Sequence, residues 1–151
     1  MMATWHIRRG TTADAAQWAP LRQALWPDED ATQLADEIDE MLASGAIVFL
    51  AFDNQGAAIA FAEAALRHDY VNGTESSPVG FLEGWYVAPQ WRGKGVGRAL
   101  VAAVEGWARD QGCREFASDA LLDNSASLAA HMACGFEETE RVVYFRKLLG
   151  A

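Results

Sequence analysis

One stretch of this sequence combines glycine, basic side chains and the start of a predicted helix. Residues 90–100 read Gln-Trp-Arg-Gly-Lys-Gly-Val-Gly-Arg-Ala-Leu and follow a short apolar run that ends before Pro89. Glycine lets a backbone turn tightly and come close to a ligand. Free N–H groups at a helix N-terminus, with the helix dipole behind them, attract anions. Together with Arg92, Lys94 and Arg98, the stretch predicts a phosphate or diphosphate site.

Two common phosphate-binding patterns do not fit this turn. A P-loop needs Ser or Thr after its Lys, whereas Gly95 follows Lys94. A dinucleotide fingerprint needs Gly or Ala at its sixth position, which is Arg98 or Leu100 in the two registers. The pattern Arg-Gly-Lys-Gly-Val-Gly at residues 92–97 instead resembles the acetyl-CoA loop of the GNAT superfamily of N-acetyltransferases.

That resemblance implies a position for each part of acetyl-CoA. Loop amides would hold the CoA diphosphate, and the residues implied are Arg92, Gly93, Lys94, Gly95, Val96 and Gly97. The preceding strand would pair its backbone with the pantetheine arm, which implies contacts from Trp85, Tyr86 and Val87. The residues alone leave open a solvated basic turn before an ordinary helix.

Two acidic residues belong to the strands around this turn. Glu83 lies in the apolar run of residues 81–87, where a buried carboxylate without a partner would be costly. Asp119 ends the next predicted strand, residues 114–119. Acetyl transfer to an amine requires removal of the ammonium proton, which a carboxylate can accept directly or through water. We therefore predict Glu83 and Asp119 as the catalytic carboxylates that take this proton. The alternatives are an ion pair for Glu83 and a turn or cap role for Asp119.

The elements that must position these residues follow from hydrophobic periodicity and turn residues. We predict strands at residues 5–9, 46–52, 57–66, 81–87, 114–119, 136–139 and 142–148. Helices are predicted to begin near Thr11, Asp30, Gly97 and Asn124, and to end near Leu25, Ser44, Arg109 and Cys134. The order predicts one α/β (α+β) domain over residues 1–151, with a mixed central sheet and helices on both faces. A polar loop at residues 67–80 is long enough to be functional or mobile.

Composition and charge exclude several classes of protein. The chain has 151 residues, a net charge of −9, and no Lys or Arg between Gln23 and Leu66, an interval with nine acids. This argues against nucleic acid or an anionic membrane as partner and suits a cationic substrate. The first thirty residues show no secretory pattern, and Cys113 and Cys134 match no metal or disulfide spacing. We expect a cytoplasmic protein without a bound metal.

Other segments carry a closer resemblance. It is found in Trp26-Pro27, in residues 67–73 (Arg-His-Asp-Tyr-Val-Asn-Gly), 76–78 (Ser-Ser-Pro), 81–84 (Phe-Leu-Glu-Gly), 112–115 (Gly-Cys-Arg-Glu), 117–119 (Ala-Ser-Asp) and 135–141 (Gly-Phe-Glu-Glu-Thr-Glu-Arg). These segments look like the aminoglycoside 6'-N-acetyltransferases, specifically the chromosomal resistance enzymes of enteric and Acinetobacter-type bacteria. By position, the resemblance implies that the aminoglycoside contacts are Trp26, Tyr70, Glu83, Asp119 and Glu140, and that Asn124 contacts the cofactor.

The physical chemistry of that set suits a polycationic sugar. Carboxylates pair with ammonium groups, and aromatic faces cover sugar rings and attract cations. The pattern departs from the superfamily at one position: many members have a tyrosine that protonates the CoA thiolate where this chain has His131. Tyr144 is a weaker donor candidate. Catalysis could also depend on orientation and a backbone N–H alone.

The leading hypothesis is direct acetyl transfer from acetyl-CoA to the 6'-amine of an aminoglycoside in a ternary complex, which would confer resistance. One alternative keeps the enzyme class but changes the acceptor to a polyamine, peptide amine or other small cation. Another is a non-catalytic acyl-CoA-binding module, against which the paired acids argue. The resemblance also implies a homodimer, through strands at residues 136–148 that could pair between chains.

Overall fold

The strands and helices predicted up to residue 134 are present in the computed structural model, which describes residues 4–150. The strands are β1 (Trp5–Arg9), β2 (Ile47–Asp53), β3 (Ala58–Arg67), β4 (Val79–Val87) and β5 (Phe116–Ser118). The helices are α1 (Ala15–Leu25), α2 (Ala31–Ala43), α3 (Val96–Asp110) and α4 (Ser125–Ala133). Two 3-10 turns, Thr12–Asp14 and Pro89–Trp91, precede α1 and follow β4.

The five strands form one mixed sheet in the order β1-β2-β3-β4-β5. The first four pair antiparallel, and β5 pairs parallel with β4 over three positions that end at Leu82 opposite Ser118. Beyond that pair β4 continues to Val87 while β5 stops. The two neighbouring strands therefore separate, and this gap is the feature of the fold that matters most for the site.

Helices cover both faces of the sheet, which confirms the predicted architecture. On one face, Trp18 of α1 and Ile38 of α2 pack with Phe61 of β3 in one buried cluster. On the other, Leu100 and Val104 of α3 belong to a second cluster with strand residues. The helices α1, α2 and α3 each contribute the apolar stripe that their 3.6-residue periodicity predicts.

Side-chain caps fix where three helical segments begin. Thr11 and Asp14 form a capping box before α1, and the Asp30 carboxylate accepts a hydrogen bond from the N–H of Gln33 (2.9 Å). The Asn124 side-chain oxygen accepts from the N–H of Ser127 (3.1 Å). These bonds satisfy N–H groups that have no partner within the helix.

The two closing strands predicted at residues 136–139 and 142–148 are wrong. These residues form neither helix nor strand within the described chain, and Phe145 and Leu149 are each 91% exposed. Their apolar pattern suits a half-buried strand, but a strand also requires a neighbour to pair with, which local sequence does not specify. Among the helices of residues 4–150, none has the length and apolar character needed to cross a membrane.

Candidate active site

The predicted phosphate turn leads into α3 with its backbone open to a ligand. Gly93 and Gly95 adopt φ of +77° and +86°, in the left-handed region that favours glycine. Gly95 is the N-cap of α3 and provides no side-chain cap, and a Cβ added at either glycine would meet nothing within 4 Å. The first N–H groups of α3 therefore have no side-chain cap and lie at the positive end of a helix dipole. This geometry fits a diphosphate.

Two side-chain hydrogen bonds join the turn to the end of β4. The Arg92 guanidinium donates to the carbonyl of Val87 (2.8 Å) and lies over the ring of Tyr86. The Trp85 indole N–H donates to the carbonyl of Gly97 (3.2 Å). The three predicted arm-binding residues of β4 are thus held beside the predicted diphosphate turn.

Within residues 4–150, the edge of β4 beyond Leu82 has no strand partner on the β5 side. Residues 84–87 pair only with β3, because β5 ends at Ser118. An unpaired strand edge presents N–H and C=O groups to which an extended molecule can bond. The gap leads from the turn at residues 92–97 back toward Ser118, so it can accept the extended arm of a thioester cofactor.

Glu83 occupies a β-bulge, which the sequence did not reveal. The pairing passes from Glu63 opposite Gly84 to Ala64 opposite Leu82, so Glu83 has no partner residue on β3. The bulge turns its side chain outward, and Glu83 is exposed rather than buried as the apolar strand suggested. The Arg67 guanidinium donates to its carboxylate through Nε and Nη2, at 2.7 to 3.2 Å. The ion pair considered from the sequence is therefore present.

Trp26 and Glu83 line the same cleft, of about 460 Å³. The Trp26 ring packs against Phe61 at 6.3 Å, and the Arg22 guanidinium lies 5.0 Å from its centre. A Cβ at Gly84 would come within 2.8 Å of Trp26 Cη2, so a glycine is required there for the ring to approach. The remaining lining residues are Arg22, Glu29, Gln33, Leu34, Glu37, Met41, Ala46 and Glu63.

A buried ion pair lies at this cleft, and sequence analysis missed it. Glu63, 1% exposed, accepts hydrogen bonds from the Trp18 indole (2.8 Å) and from Arg22 (2.8 and 3.2 Å). Arg22 also donates to the Leu34 carbonyl (2.7 Å) and to Glu37 (3.1 Å). Removal from water raises the pKa of Glu63, and the Arg22 and Trp18 donors oppose that rise.

Tyr70 and Glu140 line a second cleft of about 400 Å³ with Thr74 and Thr139. Gly73 makes this approach possible: its φ is +82°, and a Cβ there would fall 2.1 Å from the Thr139 hydroxyl oxygen. Tyr70 is 74% exposed, so its ring is available to a ligand. The structure thus brings Trp26 together with Glu83, and Tyr70 together with Glu140.

Asp119 and Asn124 lie outside both clefts. Asp119 is exposed and directly follows Ser118, so it and Glu83 are the first residues beyond the last pair of β5 and β4. The two acids therefore stand on opposite sides of the gap where it opens. Asn124 uses its side-chain oxygen to cap α4, and its amide NH2 group is the part left for a cofactor.

His131 contacts Ser118, a residue that sequence analysis did not select. The Ser118 hydroxyl lies 2.8 Å from His131 Nε2, and His131 Nδ1 lies 2.7 Å from the Ser127 carbonyl. The imidazole edge also meets the Trp85 ring, with 5.3 Å between centres. Tyr144, the other donor candidate, is 82% exposed. The 13-residue separation of Ser118 and His131 carries no local signal for this contact.

The sequence is similar to known proteins over most of its length. Residues 14–136 match the family model described as Acetyltransferase (GNAT) family. Aminoglycoside N(6')-acetyltransferase type 1 of Stenotrophomonas maltophilia is 63% identical to this chain over 141 residues, which cover 93% of this chain and 91% of that protein.

Solved structures give the same result. The structure of AAC(6')-Iy in complex with a bisubstrate analog, CoA-S-monomethyl-acetylneamine, is 44% identical and has a TM-score of 0.91 over 97% of this chain and 99% of that one. Aminoglycoside antibiotic 6'-N-acetyltransferase AAC(6')-Ih of Acinetobacter baumannii is also 44% identical. Its TM-score is 0.90, covering 97% of this chain and 100% of that one.

Proposed function

The chain belongs to the acetyltransferase (GNAT) family, and we propose that it is an aminoglycoside 6'-N-acetyltransferase. It transfers the acetyl group of acetyl-CoA to the 6'-amine of aminoglycoside antibiotics and so confers resistance. The observation that carries this function is the 63% identity, over nearly the full length of both chains, to an enzyme of that name. The gap between β4 and β5 and the cleft lined by Trp26 and Glu83 agree with this function.

The turn at residues 92–97 is our assignment for the diphosphate of acetyl-CoA. Its support is the pair of left-handed glycines, the uncapped start of α3 and the charges of Arg92 and Lys94. When bound, acetyl-CoA supplies an activated acetyl group. The free edge of β4 at Trp85, Tyr86 and Val87 then orients the thioester arm, and a backbone N–H of that edge polarises the acetyl carbonyl.

Glu83 and Asp119 are our assignment for the acids that bind the reacting ammonium and take its proton. Both stand where the gap between β4 and β5 opens, so a substrate amine between them would also face the thioester end of the arm. A carboxylate reached directly or through one water can act as general base. Glu83 must first exchange its Arg67 partner for the substrate cation.

Trp26, Tyr70 and Glu140 are our assignment for the remaining substrate contacts. The Trp26 and Tyr70 rings can cover sugar rings, and Glu140 beside Tyr70 can pair with an ammonium group. A polycation would gain attraction along both clefts, because the chain has a net charge of −9.

An acceptor panel tests this function. Purified protein should release CoA from acetyl-CoA with kanamycin, tobramycin and amikacin, and cells that express it should survive these drugs. Gentamicin C1, whose 6'-amine is methylated, should be a poor substrate. Preferential turnover of a polyamine or peptide amine would instead favour another cationic acceptor, and tight acetyl-CoA binding without turnover of any amine would favour a binding module.

We also propose that the protein is a cytoplasmic homodimer. The segment at residues 142–149 leaves large apolar side chains in water, among them Tyr144 (82% exposed), Phe145 and Leu149 (both 91%). So many exposed large apolar side chains in one short segment are typical of an interface, and a second copy of the chain would cover them. A cytoplasmic location would supply acetyl-CoA and suits the free thiols of Cys113 and Cys134. Sedimentation at several protein concentrations would measure the assembly.

A further inference from the structure

The tautomer of His131 follows from its polar contacts with Ser118 and with the hydroxyl and carbonyl of Ser127. Nδ1 lies 2.7 Å from the Ser127 carbonyl, which can only accept a hydrogen bond, so Nδ1 carries a proton. In the neutral ring Nε2 is then unprotonated and accepts the Ser118 hydroxyl hydrogen across 2.8 Å. In the imidazolium form Nε2–H donates to Ser118 instead, and the hydroxyl hydrogen can turn to the Leu82 carbonyl, 3.5 Å away, or to a ligand in the gap. The form of the imidazole thus determines whether the Ser118 hydroxyl donates to His131 or to another group.

The position of Ser118 is set by the sheet. It forms the last β4–β5 pair, with Leu82, so its hydroxyl lies where the two strands separate. The turn at residues 92–97 lies at the other end of the unpaired edge, where Arg92 donates a hydrogen bond to the carbonyl of Val87. Five strand residues, 83–87, span about 16 Å. An arm that runs from the turn along this edge brings its sulfur to the Ser118 end.

Trp85 contacts residues near both ends of this unpaired edge, Gly97 and His131. Its indole donates to Gly97 in the first turn of α3, and its ring meets the edge of His131 at 85° between planes. Phe136 packs against the imidazole from another side, 5.1 Å between centres. The ring is therefore held between aromatic groups, while Ser118 and His131 are each half-buried and Ser118 lies at the last pair before the gap. A pair with an oriented base and access to a cleft is suited to proton transfer.

We propose that Ser118 protonates the sulfur of coenzyme A as it leaves, and that His131 resupplies the proton. The inference rests on the proposed acetyl transfer. The amine lone pair forms the C–N bond, the C–S bond breaks, and its electron pair remains on sulfur. Sulfur takes the hydroxyl proton of Ser118, and Ser118 takes the Nε2 proton of the His131 imidazolium. The surplus amine proton leaves through Asp119 or Glu83 to water, and water reprotonates His131.

The kinetic test uses substitutions that keep the packing. Ser118→Ala should lower kcat by about 10- to 100-fold and leave the KM for acetyl-CoA within about twofold. Ser118→Thr restores a hydroxyl and should recover most of the rate. His131→Gln keeps a donor toward Ser118 but cannot pass on a proton, so its kcat should match that of Ser118→Ala. Ser125→Ala is the matched control: it removes a serine hydroxyl on α4, the helix of His131, and should behave as wild type.

A spectroscopic test does not depend on the acceptor. The ultraviolet absorbance of the thiolate reports the titration of CoA bound to the protein. Loss of the Ser118 hydroxyl should move that titration upward by about one pH unit, because a hydrogen bond to the thiolate is lost. The Thr variant should restore it. This measurement uses CoA alone, so it can be made even on a protein that acetylates no aminoglycoside.

The outcomes separate the two proposals. A shifted thiolate titration without aminoglycoside turnover would support Ser118 and overturn the proposed function. Normal aminoglycoside turnover with wild-type kcat and titration in Ser118→Ala would leave the function standing and overturn the Ser118 proposal. Equal losses of kcat and cofactor affinity in Ser118→Thr and Ser118→Ala would indicate a structural hydrogen bond and also overturn it. If Ser118→Ala does not fold, the kcat values of Ser118→Thr and His131→Gln test the Ser118 proposal.

Discussion

Two arginine–glutamate pairs lie around the same cleft and differ mainly in their access to water. Arg22 and Glu63 have side chains that are 7% and 2% exposed, whereas those of Arg67 and Glu83 are 44% and 30% exposed. The shortest nitrogen–oxygen distances are nearly equal, 2.8 and 2.7 Å. Geometry alone therefore does not distinguish them.

Burial gives the two pairs opposite roles. Arg22 cannot leave Glu63 without stranding a charge in a low-dielectric interior, so this pair is fixed and supports the Trp26 ring above it. Arg67 can leave Glu83 at little cost, because water solvates both partners. The bulge that exposes Glu83 thus turns one of two similar carboxylates into a group that can exchange its cation for a substrate ammonium.

The largest expected effect is loss of stability when the buried pair is broken. Arg22→Met leaves Glu63 as an unpaired buried carboxylate and should lower the free energy of unfolding by about 3–5 kcal/mol. The double variant Arg22→Met/Glu63→Leu removes both charges and should recover much of that loss. Urea denaturation measures both. A loss below about 1 kcal/mol in Arg22→Met would mean that the two pairs do not differ as argued.

The next effect is on activity at the rim of the cleft. Glu83→Gln removes a proposed proton acceptor and should lower kcat/KM for tobramycin by about 100-fold. The same change should alter the free energy of unfolding by less than about 1 kcal/mol, because exposed ion pairs contribute little. Initial rates of CoA release and urea denaturation give the two values on one protein sample.

Glu105→Gln is the matched control for that experiment. Glu105 also faces an arginine, Arg109, and its side chain is 31% exposed against 30% for Glu83, but it lies on α3 outside both clefts. It should retain wild-type turnover. Similar losses in the two variants would show that net charge, rather than the position of Glu83, governs activity.

Local patterns predicted much of the fold. Hydrophobic periodicity gave β1 at its observed bounds and placed four helices within a few residues of where they lie. The glycine-rich turn could be predicted because its function resides in the backbone at residues 93 and 95, and glycine marks such positions. Hydrophobic periodicity and turn residues are local properties of the chain, so one sequence is enough to show them.

Contacts between distant residues could not be predicted in this way. The Glu83 bulge depends on the register of β4 against β3, and the Arg67–Glu83 pair joins residues 16 apart. Glu63 is one acid in an apolar strand, and nothing in its neighbours indicates Arg22, 41 positions earlier. The same limit explains the error at residues 136–148, where an apolar pattern without a partner strand forms no strand in this chain.

The smallest expected effect concerns Arg67 itself. If this arginine occupies Glu83 until a substrate ammonium replaces it, Arg67→Met should lower the KM for tobramycin by about two- to fivefold. That range corresponds to about 0.4–1 kcal/mol, which lies within the roughly 0.2–1 kcal/mol that an exposed pair contributes. Methionine can still cover the Phe81 ring, which lies 3.5 Å from the Arg67 guanidinium carbon. Steady-state kinetics at fixed ionic strength measure the change.

Long-range attraction offers another reason for a lower KM, because any lost positive charge makes the protein more attractive to a polycation. Arg109→Met removes the same charge from a pair outside the clefts and therefore isolates that contribution. Added salt should weaken the long-range part and leave a contact at Glu83 less affected. A KM lowered equally by both substitutions would show that Arg67 does not compete for Glu83. A raised KM in Arg67→Met alone would mean that Arg67 holds Glu83 in place, as Arg22 does for Glu63.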